Sequence, residues 1–580
     1  MQKFAKTAIA GAVAMAVAQS ASAATPPFFI PLADPEVVDV ADGFKVIDES
    51  DPSLSTYTQI RSVDEINGPW KVAPGVTFEN LMSLEEVENT VDQSVIRVAA
   101  GNNSAMFDML AYDPTGRYVF IPAETPFGAG VTRYDTVNDE SQVLFKGDES
   151  EEGFTNDTDF GAFDPARWTP NGTVLLGEEW SGAGRLVEVC DPLGAPPVDP
   201  TPSGMVQGDC GADAGAQYRI LDNLPTSAWE GISFSEKYPN EVMYFVDEDR
   251  SGSVYKTMFA EPGNYNSGAT YVLVVDGFAG DPAERFDREP NIGQPRTGQA
   301  QWVPITDMNG EPLEGIRDPR LASDRAANLD DPGQTGRWAA DDVNGTPFGR
   351  PEDTTLSTLA NGNEVLYFAA TSEATIYSVE ETPDGPIVRA TATPDTPKNL
   401  GFAETSAVLN SPDNLAIDAL GNIYIIEDSP NTTTIGASGG DIWFIRDVDN
   451  DGIAESIDLF MSLQVAGSEA TGMIFDPVDP TKFVVAVQHP RSTGLSDEDN
   501  LVGESDEDSD GVRSSEGMGD AVWQFDLSNV QPPACNGPRS NGASFNAATG
   551  QWVRTCTSLR DVNFIEQMQS SEPAGDFPQP

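Results

Sequence analysis

The chain has 580 residues, a formal net charge of −61 and a single histidine, His489. A surface this acidic repels nucleic acid and anionic membranes and attracts divalent cations, so we expect neither a nucleic-acid nor a membrane partner. Its 53 glycines and 44 prolines indicate many turns, which makes an all-β fold the first expectation.

The N-terminal segment has the pattern of a secretory signal peptide. Two lysines precede an apolar stretch at 8–18, and the small residues Ala21, Ser22 and Ala23 form a cleavage site. We therefore expect residues 1–23 to be removed after Ala23 and the mature protein to be periplasmic or secreted. Residues 24–95 are predicted to be an extension that packs on or closes the domain formed by 96–530.

That domain contains six stretches in which an apolar strand, a turn and a second apolar strand follow one another. They lie at 107–124, 166–179, 229–249, 352–373, 412–428 and 469–489. A further short strand with an aromatic residue, such as GSVYKTMF or GDIWFI, follows most of them. Repeated hairpin units of this kind predict a six-bladed β-propeller with insertions at 262–350 and 490–520. Residues 531–580 are predicted to form a C-terminal tail.

Acidic residues stand at the open ends of these hairpins. The first residue of one antiparallel strand and the last of the next are neighbours. Glu230 should therefore lie near Asp247, Asp413 near Asp428, and Glu469 near Gln488. If the hairpins are the inner strands of successive blades, their ends form a ring of carboxylates at one mouth of the channel. Crowded carboxylates need cations to balance them, and oxygen ligands favour calcium or another hard cation.

Several of these stretches resemble the motifs of PhoX-type alkaline phosphatases. The similarity runs from about Asn102 to His489 and is carried by WTPNGTVLLGEEW, AWEGISF with YFVDEDRSGSVYK, GRPED, SPDNLAIDALGNIYIIED and ATGMIFDPVDPTKFVVAVQHP. The resemblance implies a secreted six-bladed propeller that holds calcium and iron and hydrolyses phosphomonoesters. It implies that Arg350 contacts the substrate phosphate and that the channel metals are bound by Glu178, Glu179, Asp247, Glu248, Glu352, Asp413 and Asp428.

Two features depart from the family pattern. Gly177 stands where the family has a cysteine that bridges two irons, and the signal peptide has no twin-arginine pair. We therefore expect calcium as the cofactor and keep iron as the alternative. Catalytic roles are predicted for Arg350, as a two-pronged phosphate ligand, for Glu352, and for His489, which could protonate a leaving group.

A separate stretch, DVDNDGIAESID at 447–458, has the ligand spacing of an EF-hand calcium loop. Its flanks look like β-strands, so we expect a structural calcium loop between two strands. The predicted ligands are Asp447, Asp449, Asp451, Glu455 and Asp458.

Four cysteines form two sequence-local pairs, for which we expect the disulfides Cys190–Cys210 and Cys535–Cys556. The sequence as a whole predicts a monomeric, calcium-dependent phosphoester hydrolase that acts on a small-molecule substrate. Two other functions remain open. One is a propeller lactonase or esterase that uses a single divalent cation, with Asn414 beside Asp413 as ligands, and the other is a non-catalytic, calcium-stabilised binding propeller.

Overall fold

A computed structural model describes residues 29–33, 45–46, 56–57, 69–83, 106–125, 127–150, 158–249, 252–280, 294–320, 335–428, 439–463, 469–488, 520–530, 542–546 and 551–555. In these ranges the regular secondary structure is almost entirely β-strand. The exceptions are one α-helix, α1 (Thr335–Asp342), and a 3-10 turn at Thr371–Glu373. No helix in the described part is long and apolar enough to cross a membrane.

All six predicted hairpins are formed, and each belongs to an antiparallel group of strands. The first three groups are β5 (Ala111–Tyr112), β6 (Tyr118–Pro122), β7 (Gly130–Asp135) and β8 (Glu140–Lys146); β9 (Phe163–Trp168), β10 (Val174–Gly184), β11 (Leu186–Val189) and β12 (Tyr218–Ile220); and β13 (Ser227–Phe234), β14 (Val242–Asp247), β15 (Val254–Met258), β16 (Ala269–Val275) and β17 (Gly298–Pro304).

The other three groups come next along the chain. They are β18 (Pro351–Thr358), β19 (Glu364–Ala370), β20 (Thr375–Glu380) and β21 (Ile387–Ala392); β22 (Pro412–Ile417), β23 (Ile423–Glu427), β24 (Gly439–Arg446) and β25 (Ser456–Leu463); and β26 (Glu469–Phe475), β27 (Lys482–Gln488) and β28 (Ala521–Asp526). Two short pairs stand apart, β1 (Lys45–Val46) with β2 (Thr56–Tyr57), and β29 (Gly542–Asn546) with β30 (Gln551–Thr555).

The segment before the first hairpin completes the last two groups. Its strands β3 (Trp70–Val72) and β4 (Thr77–Ser83) pair with β25 and β28. We call the first strand of each hairpin its inner strand; these are β5, β9, β13, β18, β22 and β26. The last inner strand also contacts the segment that leads into the first, since Thr471 Oγ1 donates to the Phe107 carbonyl at 2.8 Å. A Cβ at Gly472 would lie 2.4 Å from the Asp108 carbonyl oxygen, so only glycine permits this approach. The strands thus close into a ring.

Apolar side chains fill the space between neighbouring groups. Phe120 of the first group stacks on Trp168 of the second with ring centroids 5.7 Å apart, and Phe460 of the fifth group packs against Phe483 of the sixth with centroids 6.0 Å apart. Both faces of most strands are buried, as expected where each sheet is covered by its neighbours. The fold is an all-β propeller. The expected number of six blades stays a prediction, because hydrogen bonds join β9 to β21 into one thirteen-stranded sheet.

Candidate metal centre

Each inner strand carries a buried carboxylate at or near its first residue. These acids are Asp108, Asp164, Glu230, Glu352, Asp413 and Glu469. Because the inner strands run in the same direction around the ring, the six side chains meet at one mouth of the channel. Glu352 and Asp413 were predicted as ligands; Glu230 and Glu469 were placed at this mouth but not chosen, and Asp108 and Asp164 were missed. The available signal was a Phe-Asp pair in each case, Phe107-Asp108 ahead of β5 and Phe163-Asp164 at the start of β9.

A second set of acids arrives from the strands that run back toward the mouth. Their backbone N–H groups donate to carbonyls just before an inner strand: Glu124 to Met106 at 3.0 Å, Glu179 to Ala162 at 2.7 Å, Glu248 to Ala228 at 2.9 Å and Asp428 to Ser411 at 2.9 Å. Each of these acids therefore extends the ladder of its hairpin by one residue. All four are half-buried. Three of them were predicted as ligands, and Glu124 was recognised only as the end of a strand.

A left-handed residue precedes the inner acid by two positions in four of the hairpins. These residues are Met106, Ala162, Arg350 and Ser411, with φ values of 55°, 48°, 53° and 45°. Non-glycine residues rarely adopt this conformation, and it concentrates at functional sites. The same backbone turn thus directs the chain into the inner strand at several points around the mouth.

The inner and returning acids together form three groups of carboxylates. In each group one oxygen per residue lies within 4.8 Å of the others. The groups are Asp108, Glu124 and Asp164; Glu230, Glu352 and Asp413; and Asp413, Asp428 and Glu469. The second and third share Asp413, so they form a continuous acidic surface.

This crowding and burial disfavour the charged form of the carboxylates. Burial is the main cause that raises the pKa of Asp164, Glu230 and Asp413 well above the usual range, and neighbouring carboxylates raise it further. The pKa values of Glu124 and Glu352 rise to about 7, mainly through burial. Carboxylates that share one site cannot all ionise without a compensating positive charge.

Arg350 supplies positive charge inside this cluster. Its Nε forms a close ion pair with Glu248 and lies 3.3 Å from Glu352 Oε1, while its Nη1 lies 4.0 Å from Asp428 Oδ2. Burial acts to raise the pKa of Glu248, but Arg350, a hydrogen bond with Glu179 and the charge of Arg337 together lower that pKa below its usual range. One guanidinium faces many carboxylates, so it cannot neutralise the cluster.

Several oxygens in the cluster have no hydrogen-bond partner among the residues that the structure describes, which is the arrangement that a cation would complete. Asp164 Oδ1, Glu352 Oε1, Asn414 Oδ1 and Gln488 Oε1 are buried and accept no hydrogen bond. The amide nitrogens of Asn414 and Gln488 instead donate to Asp108 at 3.2 and 2.9 Å. Buried polar oxygens are almost always paired. An all-oxygen donor set fits calcium or another hard cation.

Gly177, which stands where the resemblance implies a bridging cysteine, has no room for a cysteine side chain. A Cβ at Gly177 would lie 2.5 Å from Trp229 Cβ and 3.0 Å from Pro165 Cγ. Trp229 is fully buried, so it has no free space to move into. The residues present here therefore fit oxygen-bound cations and do not fit a cysteine-bridged iron pair.

Two predicted metal ligands have protein partners instead. Glu178 accepts hydrogen bonds from Arg185 at 2.6 and 2.8 Å, and Asp247 accepts two from Arg337 at 2.6 and 2.9 Å. The reason is the alternation of side chains along a strand: Glu179 and Glu248 face the mouth, whereas the acids directly before them point away from it.

The loop between β24 and β25 joins two strands, as predicted. It brings oxygens of Asp447, Asp449 and Glu455 within 4.8 Å of one another. Asp451 lies outside this group, and its Oδ1 accepts the Ile453 N–H at 2.9 Å. Asp458 also lies outside it, because its buried carboxylate is bound by Arg446 at 2.7 Å. The structure thus assembles three of the five predicted ligands.

The disulfide Cys190–Cys210 is present, with a Cα–Cα distance of 5.0 Å, and this prediction is confirmed. His489, Cys535, Cys556 and the signal peptide at 1–23 lie outside the described residues.

The fold and the acidic mouth define a β-propeller with carboxylate groups that could hold a metal. The model of the family described as "Alkaline phosphatase PhoX" matches residues 227–491. The predicted resemblance to this family is confirmed, and the match supports a phosphatase hydrolase. No significant match was found among curated proteins.

Solved structures similar to this chain include Pseudomonas fluorescens PhoX in complex with vanadate, at 15% identity, a TM-score of 0.47, and coverage of 79% of this chain and 96% of that one. Another is a gluconolactonase from Xanthomonas campestris, at 10% identity, a TM-score of 0.33, and coverage of 80% and 98%. A third is the PQQ-bound aldose sugar dehydrogenase of Streptomyces coelicolor, at 12% identity, a TM-score of 0.35, and coverage of 79% and 99%.

Proposed function

We propose that the chain hydrolyses phosphomonoesters with the help of cations, calcium foremost, held by the carboxylates at the channel mouth. The observation that carries this proposal is the convergence of three carboxylate groups, with unpartnered oxygens, around the single guanidinium of Arg350. The family match supports the reaction class. The identity of the cation and the substrate are part of the proposal.

Arg350 is the proposed phosphate ligand. A guanidinium has five N–H donors in a planar fork that matches two phosphate oxygens. In the structure its contacts at the mouth are anionic: Glu248, Glu352 and Asp428. A phosphate group entering the mouth would be repelled by these carboxylates unless cations neutralise them, so we expect substrate binding to require the metal.

The residues that would hold the cations are the three carboxylate groups, together with the free amide oxygens of Asn414 and Gln488. When bound, such cations supply charge stabilisation to a phosphoryl group and lower the pKa of water. This chain's own residues then have three roles. Arg350 orients the phosphate, and Glu352 helps to hold a cation while it faces Arg350. His489 is the proposed donor of a proton to the leaving group.

The test is hydrolysis of a chromogenic phosphomonoester by chelated protein that is resupplied with calcium, iron or both. Arg350→Ala and Glu352→Gln should each lower kcat/KM by about 100-fold or more, as expected when a group that stabilises transition-state charge is lost. Calcium alone should restore the rate of the wild-type protein.

A matched control is Glu364→Gln. Glu364 is also a buried acid of the fourth hairpin, but it accepts from Ser235 Oγ at 2.9 Å and pairs with Thr358, at the far end of β18. That end lies roughly 20 Å from Glu352 at the usual rise per residue of a strand. Full activity in Glu364→Gln beside inactive mouth variants supports the proposal. A folded, calcium-loaded wild-type protein without turnover would rule it out.

The unpartnered Oδ1 of Asn414, next to Asp413, supports a second candidate, a lactonase or esterase that uses one cation at the same mouth. Such an enzyme needs no phosphate ligand. Lactone hydrolysis that survives Arg350→Ala and fails in Asn414→Ala would favour it.

The remaining proposals concern the setting of the reaction. We propose a secreted or periplasmic monomer whose mature chain begins at Ala24, and a structural calcium site in the loop at 447–458. Mass spectrometry of the protein recovered from cell fractions tests the first of these, and the hydrodynamic size of the purified protein tests the monomer.

A further inference from the structure

Glu373 is a buried carboxylate near the mouth that is not part of the three carboxylate groups. Its Oε1 accepts the Gly349 N–H at 2.7 Å, and the same oxygen lies 3.4 Å from Arg296 Nη1. Its Oε2 accepts the hydroxyl of Tyr377. Glu373 and Arg296 are both about 5% exposed. The charge of Glu373 is therefore balanced within the protein by Arg296. Its carboxylate also fixes the backbone at Gly349.

That backbone leads directly into Arg350. The Arg350 N–H donates to the Asp249 carbonyl at 2.9 Å, and the Arg350 carbonyl accepts the Thr371 N–H at 3.0 Å. The Ser372 N–H donates to the Gly349 carbonyl at 3.1 Å. Arg350 adopts a left-handed conformation that is costly for a residue with a side chain, and such conformations persist only where surrounding contacts hold them.

The same arrangement occurs at three other hairpins. In each, the carboxylate that precedes a mouth-facing acid accepts an N–H two or three residues before the inner acid and has its own donor from the protein. Glu178 accepts from Gly161 at 3.1 Å and from Arg185; Asp247 accepts from Ala228 at 2.8 Å and from Arg337; Glu427 accepts from Asn410 at 2.8 Å and from Trp443. These acids and Glu373 form an outer ring of carboxylates.

We propose that Glu373 is a positioning residue: by holding the Gly349 N–H, it keeps Arg350 in its left-handed conformation and directs the guanidinium into the carboxylate cluster. Its effect on catalysis rests on the proposed function of Arg350. The other acids of the outer ring do the same for the inner acids of their hairpins.

The test replaces both members of the ion pair, Arg296→Met with Glu373→Met, because removing one partner leaves a buried charge unpaired. Glu373→Gln keeps an oxygen for the Gly349 N–H. The control is Arg219→Met with Glu188→Met, which removes another buried ion pair, 2.6 Å long, far from Arg350 in sequence and not in contact with it. Arg296→Gln with Glu373→Leu, which also removes both charges, serves the same comparison if the first double variant does not fold.

The first readout does not depend on activity. The arginine reagent hydroxyphenylglyoxal is applied to each folded protein, and its attachment to Arg350 is measured by peptide mass mapping. We expect labelling of Arg350 to rise at least about fivefold in the Arg296/Glu373 variant, since the left-handed turn loses a charge-assisted hydrogen bond. Glu373→Gln and the Arg219/Glu188 variant should stay near wild type. Unchanged labelling in the Arg296/Glu373 variant, or an equal rise in the control, overturns the proposal.

The second readout is the split between KM and kcat for the phosphomonoester, together with inhibition by inorganic phosphate. Displacement of Arg350, the residue proposed to bind the phosphate, should raise KM and the phosphate Ki by about tenfold and change kcat less. Glu373→Gln should keep KM and Ki close to the wild-type values. If the wild-type protein shows no turnover, the proposed function fails, while the labelling result still decides whether Glu373 positions Arg350.

Discussion

Substitution of Gly177 provides a quantitative test of the metal site. A Cβ there would lie 2.5 Å from Trp229 Cβ, about 1 Å closer than the usual contact between two carbon atoms. Trp229 cannot yield easily: its ring stacks on Phe245 at 4.3 Å, and its Nε1 donates to the Gly184 carbonyl at 3.2 Å. Overpacking of this kind costs about 1–3 kcal/mol. We expect Gly177→Ala and Gly177→Cys to lower the free energy of unfolding by similar amounts in that range.

The measurement is equilibrium unfolding in urea, with Trp229→Gly as the partner in a double-mutant cycle, because glycine removes the Trp229 Cβ that a side chain at position 177 would meet. Trp229→Gly alone should cost at least about 3–5 kcal/mol, but in its presence Gly177→Ala should cost less than about 1 kcal/mol, because that contact is gone. Metal analysis should find no gain of iron in Gly177→Cys. A Gly177→Ala protein as stable as wild type, or additive costs in the cycle, would refute the steric argument.

Three further predictions concern charge and crosslinking. The pKa values of Glu124 and Glu352 rise from 4.5 to about 7 on folding, so the folded metal-free chain binds more protons than the unfolded chain between these pH values, and its free energy of unfolding should fall as pH rises through that window. Calcium should flatten this fall, and identical pH profiles with and without calcium would contradict the cation site. In the loop at 447–458, Asp449→Asn should weaken calcium binding measured by calorimetry, whereas Asp458→Asn should destabilise the fold and leave calcium affinity unchanged, because Arg446 binds that carboxylate. Replacing Cys190 and Cys210 by serine should lower stability by about 2–4 kcal/mol with unchanged kcat, since the disulfide lies outside the mouth.

Local sequence patterns were sufficient to predict the hairpins and the end of the ring at which acids collect. Turn residues and apolar strands repeat in every unit, and both are local signals. The direction of each acid was not predictable in the same way. Two adjacent acids such as Glu178 and Glu179 point to opposite faces, and the sequence does not say which face is the mouth.

The partners that decide this are distant in the chain. Arg337 reaches Asp247 from α1, and Arg296 reaches Glu373 from the segment before β17. Both arginines belong to the range 262–350, which the sequence predicted only as an insertion in the propeller. Asp108 and Asp164 were missed for a simpler reason: the hairpin predicted at 166–179 begins two residues after Asp164, and Asp108 lies within the apolar run that opens the hairpin at 107–124.

The doubled acids of this chain thus have two different electrostatic roles. Acids of the outer ring are ion-paired or hydrogen-bonded within the protein, as Glu178 is by Arg185 and Asp247 by Arg337. Among the described residues, the inner acids, which form the three carboxylate groups, have only the guanidinium of Arg350 beside them, and oxygens of Asp164 and Glu352 accept no hydrogen bond. The protein therefore balances the charge of the outer carboxylates with its own donors, whereas the inner carboxylates at the mouth still require positive charge. It follows that loss of an outer acid should disturb geometry, loss of an inner acid should disturb cation binding, and only Arg350 belongs to both effects.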